Sequence, residues 1–269
     1  MYEVFLPKSE LLKKHINEIT VLKENSSYPK EYFAFPHNVS SIAFFKDAEI
    51  KYNNHYLEIN RTQKKSLSVV IIGKYIKPLL VKYSDYVTEI AVNFSPTGIN
   101  YFFDEEFHDL TKSPVQILDN VQLKQFAVLL FNLSKKERTA ATERFFEQRF
   151  ITKDLQLIEQ IIRTVENDNL MKFKDISKAL NISARSLNRL FHKYIGCSPK
   201  DYKKILRFRN VLKDYNNPDF NLTEMGLKND YYDSPHFTRE FKKLTTMTPK
   251  KYFKHLTFES KKEFPYIFK

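Results

Sequence analysis

The chain has one cysteine, no tryptophan and four glycines in 269 residues. One thiol, Cys197, closes no disulfide within a chain and builds no cysteine-rich zinc site. Placed just before Ser198-Pro199, it reads as a packed side chain. So few glycines leave no phosphate-cradling loop of either common kind, and Gly73 stands alone. No apolar run reaches the roughly 18 residues of a membrane span. The start, Met1-Tyr2-Glu3, lacks the basic and apolar regions of a signal peptide. There is no H-E-x-x-H pair, and His15, His37, His55 and His108 have no acidic or thiol partner at ligand spacing. No serine sits in a nucleophile-elbow pattern. The expectation is a soluble cytoplasmic protein that is no enzyme, with no metal and no cofactor.

Hydrophobic residues make up 42% of the chain and aromatics 15%, which supports packed cores over disorder. The formal net charge is +12, and its placement is uneven. Residues 172–269 hold 22 Lys+Arg against 10 Asp+Glu, whereas residues 1–171 hold 22 of each. A neutral half joined to a strongly basic one is the electrostatic footprint of nucleic-acid binding, because each phosphate neutralised by Lys or Arg releases condensed counterions. A basic surface kept for solubility would give the same count.

The basic half also contains one pattern written twice at an offset of 50. Arg189, Phe191, Lys193, Pro199, Lys200, Tyr202 and Lys204 recur as Arg239, Phe241, Lys243, Pro249, Lys250, Tyr252 and Lys254. Repeat arrays need about three or more copies to bury a continuous core, so two copies point to a tandem pair of small helical units. In the first, Phe173, Ile176, Ala179 and Leu180 fall at helical spacing and Asn181 suits a left-handed turn. Ser183 then caps a second helix whose apolar face is Leu187, Leu190, Phe191 and Tyr194 and which Gly196 stops. Arg185, Asn188, Arg189 and His192 lie on the opposite face. In the second copy Leu222, Met225 and Leu227 open the unit and Asp230 occupies the turn. Ser234-Pro235 reads as a cap and first turn. Phe237, Phe241 and Leu244 face inward, and Thr238, Arg239 and Lys242 outward. A helix over 199–212, begun by Ser198-Pro199, would join the two units rigidly.

Through "ALNISARSLNRLFHKYIGCSPKDYKKILRFRNVL" and "NLTEMGLKNDYYDSPHFTREFKKLTTMTPKKYF" this stretch resembles the double helix-turn-helix domain of AraC/XylS-type transcription regulators. Asn181, Asp230 and Thr246 stand where that family usually has Gly. Some DNA-repair methyltransferases carry a similar domain beside a zinc-bound cysteine site, which a single cysteine cannot build. The resemblance implies a sequence-specific DNA-binding regulator, here expected as an activator, with recognition helices over 184–194 and 234–244 in successive major-groove segments. Base contacts would fall on Arg185, Asn188 and Arg189, and on Ser234, His236, Thr238 and Arg239. Arg can bond guanine bidentately, Asn adenine, and Thr can take a hydroxyl bond or a thymine methyl. Lys193, Lys200, Lys242 and Lys250, near helix ends, are the phosphate candidates. The competing reading is a basic module that docks on an acidic protein or membrane surface without reading sequence. A membrane-lying helix would set Trp or Leu opposite its lysines, whereas each basic face here is backed by a core stripe.

Residues 1–168 read as a β-rich regulatory and dimerisation unit ending in helices, and 169–269 as the DNA-binding unit, giving an α+β chain. A short amphipathic helix is expected over 7–16. Strands or extended segments are expected at 19–22, 39–45, 56–59, 67–72 and 88–94, in a mainly antiparallel sheet or partial barrel. Phe94, Pro96 and Gly98 form an F-x-P-x-G turn that resembles the N-terminal domain of one branch of AraC-type regulators, and the spacing after it predicts a helix over 99–110. Leu123, Phe126, Leu129, Leu130 and Leu133 mark another helix. Ser134 and Glu137 form a capping box for the next, and a further helix is expected over 152–165. Tyr32, Phe33, Phe35, Phe44 and Phe45 could line a pocket or simply form core. Double-stranded DNA is the expected partner. RNA polymerase, a small-molecule effector and a second copy of the chain are further candidates.

Overall fold

The computed structural model describes residues 2–22, 31–168, 170–215, 221–255 and 266–268. Asn169, in the polar segment expected to part the two halves, lies outside them. Strands β1 (Tyr2–Phe5), β2 (Ile16–Leu22), β4 (Ser40–Lys46), β7 (Leu67–Ile72), β9 (Thr88–Phe94) and β10 (Val115–Ile117) form an antiparallel sheet in the order β1-β2-β9-β4-β7-β10. Strands β3 (Glu31–Ala34), β5 (Ala48–Asn53), β6 (Tyr56–Arg61), β8 (Leu79–Tyr83) and β11 (Tyr266–Phe268) form a second in the order β11-β3-β8-β6-β5, parallel only between β6 and β8.

The first sheet is the middle of three layers, and its strands are apolar almost throughout because both faces are covered. Successive side chains point to opposite faces of a strand. Ile42, Phe44, Val69, Ile71, Ile90 and Val92 therefore enter one core, shared with helices. Their neighbours Ala43, Phe45, Val70 and Ala91 enter another, shared with the second sheet. The helices on the outer side are α2 (Val121–Asn132), α3 (Lys135–Gln148) and α4 (Gln156–Asn167). Asn120 caps α2 by accepting from the Leu123 N–H at 2.9 Å, and the capping box of Ser134 and Glu137 starts α3.

Several expectations are corrected. The helix over 7–16 is a single 3-10 turn at Leu12–Lys14, because Ile16 is already paired with Phe94 and the His15 ring packs 4.2 Å from Tyr101. The helix over 99–110 is a 3-10 turn at Gly98–Phe102, an extended stretch, and one helical turn, α1 (Phe107–Leu110). Gly98 lies so close to the backbone of His15 that a Cβ there would fall 2.0 Å from its carbonyl oxygen. The buried face of α2 is Leu123, Phe126, Ala127 and Leu130, while Leu129 is exposed. The aromatic group near residue 40 divides among layers. Tyr32, Phe35 and Phe45 line a cavity of about 130 Å³ between the sheets, and Phe44 faces the helices.

The C-terminal helices are α5 (Phe173–Ala179), α6 (Ala184–Ile195), α7 (Pro199–Asp214), α8 (Leu222–Lys228), α9 (Ser234–Thr245) and α10 (Pro249–His255). Their apolar faces go to two different places. Ile176, Leu187, Phe191, Ile195 and Tyr202 join the core that holds the first sheet and α4. Phe208, Phe237, Phe241, Leu244 and Tyr252 build a separate core that takes in Phe35, whose ring lies 5.0 Å from that of Tyr252. Arg209, on α7 and 8% exposed, donates to the carbonyls of Phe35 and Pro36 at 2.7 Å each.

Candidate nucleic-acid interface

The first helix pair, α5 and α6, is joined through Asn181 at φ 50°, a left-handed residue that Asn tolerates. Ser183 caps α6, accepting from the Ser186 N–H at 3.0 Å. Gly196 ends it in the left-handed region, its N–H donating to Phe191 O at 3.0 Å. Between these caps Leu187 and Phe191 are buried, Leu190 and Tyr194 pack partly buried against the same core, and Arg185, Asn188, Arg189 and His192 are exposed on the other side.

The second pair, α8 and α9, keeps this plan with different residues. Asp230 takes the turn at φ 61°. Asp233, not Ser234, is the cap: its carboxylate accepts from the His236 N–H at 2.6 Å, and Ser234 becomes the first helical residue. A carboxylate caps as well as a hydroxyl and adds charge favourable to the helix N-terminus. It stands 50 residues after Ser183, so the repeat itself marks it. Thr246 ends α9 at φ 64°, doing the work of Gly196.

Arg239, Lys242 and Ser234 are exposed on α9, whereas Thr238 and His236 are half-buried. The His236 Nδ1 accepts from the Tyr232 N–H at 3.1 Å, and its ring packs 5.7 Å from Tyr231. With Nδ1 used as an acceptor, Nε2 is the ring nitrogen left to donate to a ligand. Tyr232 is 86% exposed beside it at the leading end of α9, outside the polar face that helical spacing marks.

Helix α7 carries both units. Ser198 caps it, accepting from the Asp201 N–H at 3.1 Å. Tyr202 and Leu206 pack toward the first unit, Phe208 and Val211 toward the second. Lys203 pairs with Asp230 at 3.0 Å, and Arg207 donates to the Asp230 carbonyl at 2.8 Å. Two cations of α7 thus hold the turn of the second unit, a link that no local spacing reveals.

Of the phosphate candidates, Lys200, Lys242 and Lys250 are exposed. Lys193 is engaged with Glu106 at 2.6 Å, which holds its ammonium above the usual lysine range. An open groove of about 640 Å³ runs between the starts of α6 and α7, lined by Lys172, Arg185, Asn188, Lys200, Lys203 and Arg207 among others. Nothing in the spacing of Lys172, Lys203 and Arg207 brings them to that groove, so the sequence alone does not mark them. Among the described residues no group of His, Cys, Asp or Glu side chains is arranged to hold a metal ion, and no helix is long and apolar enough to cross a membrane.

A family model described as a helix-turn-helix domain matches residues 176–255, which is α5 through α10 from the second turn of α5 onward. Residues 176–255 are a helix-turn-helix domain. The lactose operon transcription activator of Staphylococcus xylosus is 24% identical over 111 residues, a match that spans 41% of this chain and 39% of that protein. Solved structures of ToxT from Vibrio cholerae align over most of both chains. One structure aligns at TM-score 0.49 with 13% identity, over 93% of this chain and 97% of that one. A structure of ToxT with an unsaturated fatty acid bound aligns at 0.46 with 16% identity, over 93% and 94%. In this helix-turn-helix domain, the faces of α6 and α9 turned away from the core are the polar ones.

Proposed function

We propose that this chain is a sequence-specific DNA-binding transcription regulator of the AraC/XylS type, acting in the cytoplasm as an activator and not as an enzyme. The observation that carries this reading is the pairing of two capped helices with exposed polar faces, α6 and α9, on one connecting helix within the half that holds all the excess positive charge. Residues 169–269 form the DNA-binding unit and 1–168 the regulatory and dimerisation unit. Arg185, Asn188 and Arg189 read bases from α6, and Ser234, His236, Thr238 and Arg239 from α9. Lys200, Lys242 and Lys250 take phosphates, Lys193 does so only when released from Glu106, and the cationic groove beside α6 supports a phosphate path between the two reading sites. The similarity to a lactose operon activator supports the activator role. RNA polymerase and a second copy of the chain are the further partners this role calls for. A small-molecule effector has a candidate place in the cavity between the sheets.

The test is a selection of bound duplexes by the full chain from genomic fragments, followed by a salt titration. An enriched motif is expected, with log affinity falling linearly as log salt rises, at about 0.9 per phosphate contact. Lys200→Ala should lower that slope by about one and weaken all sequences alike. Binding with no enriched motif would favour the alternative, a basic module docked on acidic surfaces, and a flat salt dependence would remove the DNA reading itself.

A further inference from the structure

Residues 104–109 read Asp-Glu-Glu-Phe-His-Asp, an acidic run between β9 and β10. The fold brings it to the first reading helix. Phe107 is fully buried and lies against Gly196, where a Cβ would come within 2.8 Å of its ring. Asn100 Nδ2 donates to the carbonyl of Tyr194 at 2.9 Å, a second tie between this region and the last turn of α6. With Phe107 as anchor, the acids before it cannot swing freely away. Asp104, Glu105 and Glu106 are exposed, and Glu106 holds Lys193 at 2.6 Å. Lys193 is thus a phosphate candidate already occupied by a carboxylate of its own chain.

Resting on the regulator reading above, we infer that the acidic run at 104–106 is a built-in competitor for DNA phosphate, which keeps Lys193 off the duplex until this strap shifts from the end of α6. Three consecutive carboxylates beside a DNA-facing helix also oppose the approach of the phosphate backbone, within the Debye length of about 8 Å at physiological salt. An exposed ion pair alone is worth little. Here the anchor at Phe107 fixes the backbone of one partner, so the cost that remains is that of ordering the Glu106 and Lys193 side chains.

The experiment is a salt titration of the full chain on a labelled mixed-sequence duplex, with Glu106→Gln, Lys193→Ala and the double variant. Mixed sequence suffices because the phosphate term does not depend on base order. Glu106→Gln should raise affinity at low salt by roughly two- to fivefold and steepen the slope by about 0.9, since one more phosphate is neutralised. Lys193→Ala should leave the wild-type slope nearly unchanged, yet abolish that increase in the double variant. An unchanged slope and affinity in Glu106→Gln overturns the inference. So does a loss of about 0.9 in the slope of Lys193→Ala alone, which would mean that the lysine already reaches phosphate. In both cases the regulator reading stands, since the wild type still binds with a salt slope. If no variant retains duplex, that reading falls and the strap with it.

Discussion

Thr246 and Gly196 fill the same left-handed cap, at φ 64° and 81°, with very different side chains. A non-glycine residue there costs roughly 1–2 kcal/mol, and Thr246 offsets part of this by donating to the Thr245 carbonyl at 2.6 Å. Thr246→Gly should therefore stabilise the chain by about 1 kcal/mol or less, seen as a rise in Tm of a few degrees. Gly196→Ala should destabilise it by roughly 2 kcal/mol or more, since strain is joined there by collision with Phe107; equal effects of the two changes would contradict this. Lys74 gives a pH signature. It is 7% exposed, with Nζ donating to Ser40 Oγ at 2.8 Å, and burial lowers its pKa from 10.5 to about 7. Between those values the unfolded chain keeps a proton that the folded one has shed, so stability rises as pH rises through that window. Lys74→Met should flatten this limb and stabilise most at pH 7 and below, by on the order of a few kcal/mol. Glu89 works in the opposite sense: burial raises its pKa from 4.5 to about 7, so its contribution falls as pH rises between those values. Melting curves across pH should thus show stability reduced near neutrality from both sides, and a Lys74→Met chain with an unaltered alkaline limb would refute the assignment.

At the scale of elements, α7 sets how the two proposed reading helices would lie on DNA. It packs on both units and ties the Asp230 turn through Lys203 and Arg207, so the units move as one body. The bound site should hold two half-elements about one helical turn, roughly 34 Å, apart on one face of the duplex. Inserting about half a turn of DNA between them should abolish one set of contacts in footprinting; equal protection of the spaced site would show α7 to be compliant. Elements whose signals are local are legible in the sequence: Ser183, Ser198 and Gly196 mark helix ends by their own chemistry, and the run of β-branched residues at 67–72 gives β7 with its full bounds. Others depend on partners distant in sequence. Strands β1, β3, β5 and β8 carry Glu, Lys or Asn among their apolar residues and do not stand out, because pairing supplies what composition does not. The helix expected over 99–110 has the right period, yet burial of all of Gly98–Phe102 against His15 and its neighbours overrides it. On the candidate interface, the exposure of Arg185, Asn188, Arg189 and Arg239 follows from helical spacing. The tie from Lys193 to Glu106 does not, since it crosses 87 residues.

Across the whole molecule, the expected division near residue 168 does not part the cores. The first reading unit shares its apolar interior with the middle sheet, and the second takes Phe35 into its own. The full chain should therefore unfold in one cooperative calorimetric transition, and two well-separated transitions would contradict that coupling. Phe35→Ala should cost about 3–5 kcal/mol and loosen hydrogen-exchange protection in α9 and α10, which lie at the other end of the sequence. Regulators of this plan invite exchange of parts, with one chain's sensing half grafted to another's reading half. Here each reader borrows an aromatic ring from the other side of such a junction, Phe107 against α6 and Phe35 within the α9 core. A chimaera cut at residue 168 would leave two sockets to be refilled, so a graft that keeps its function must bring matching rings at both places or carry those two short segments along.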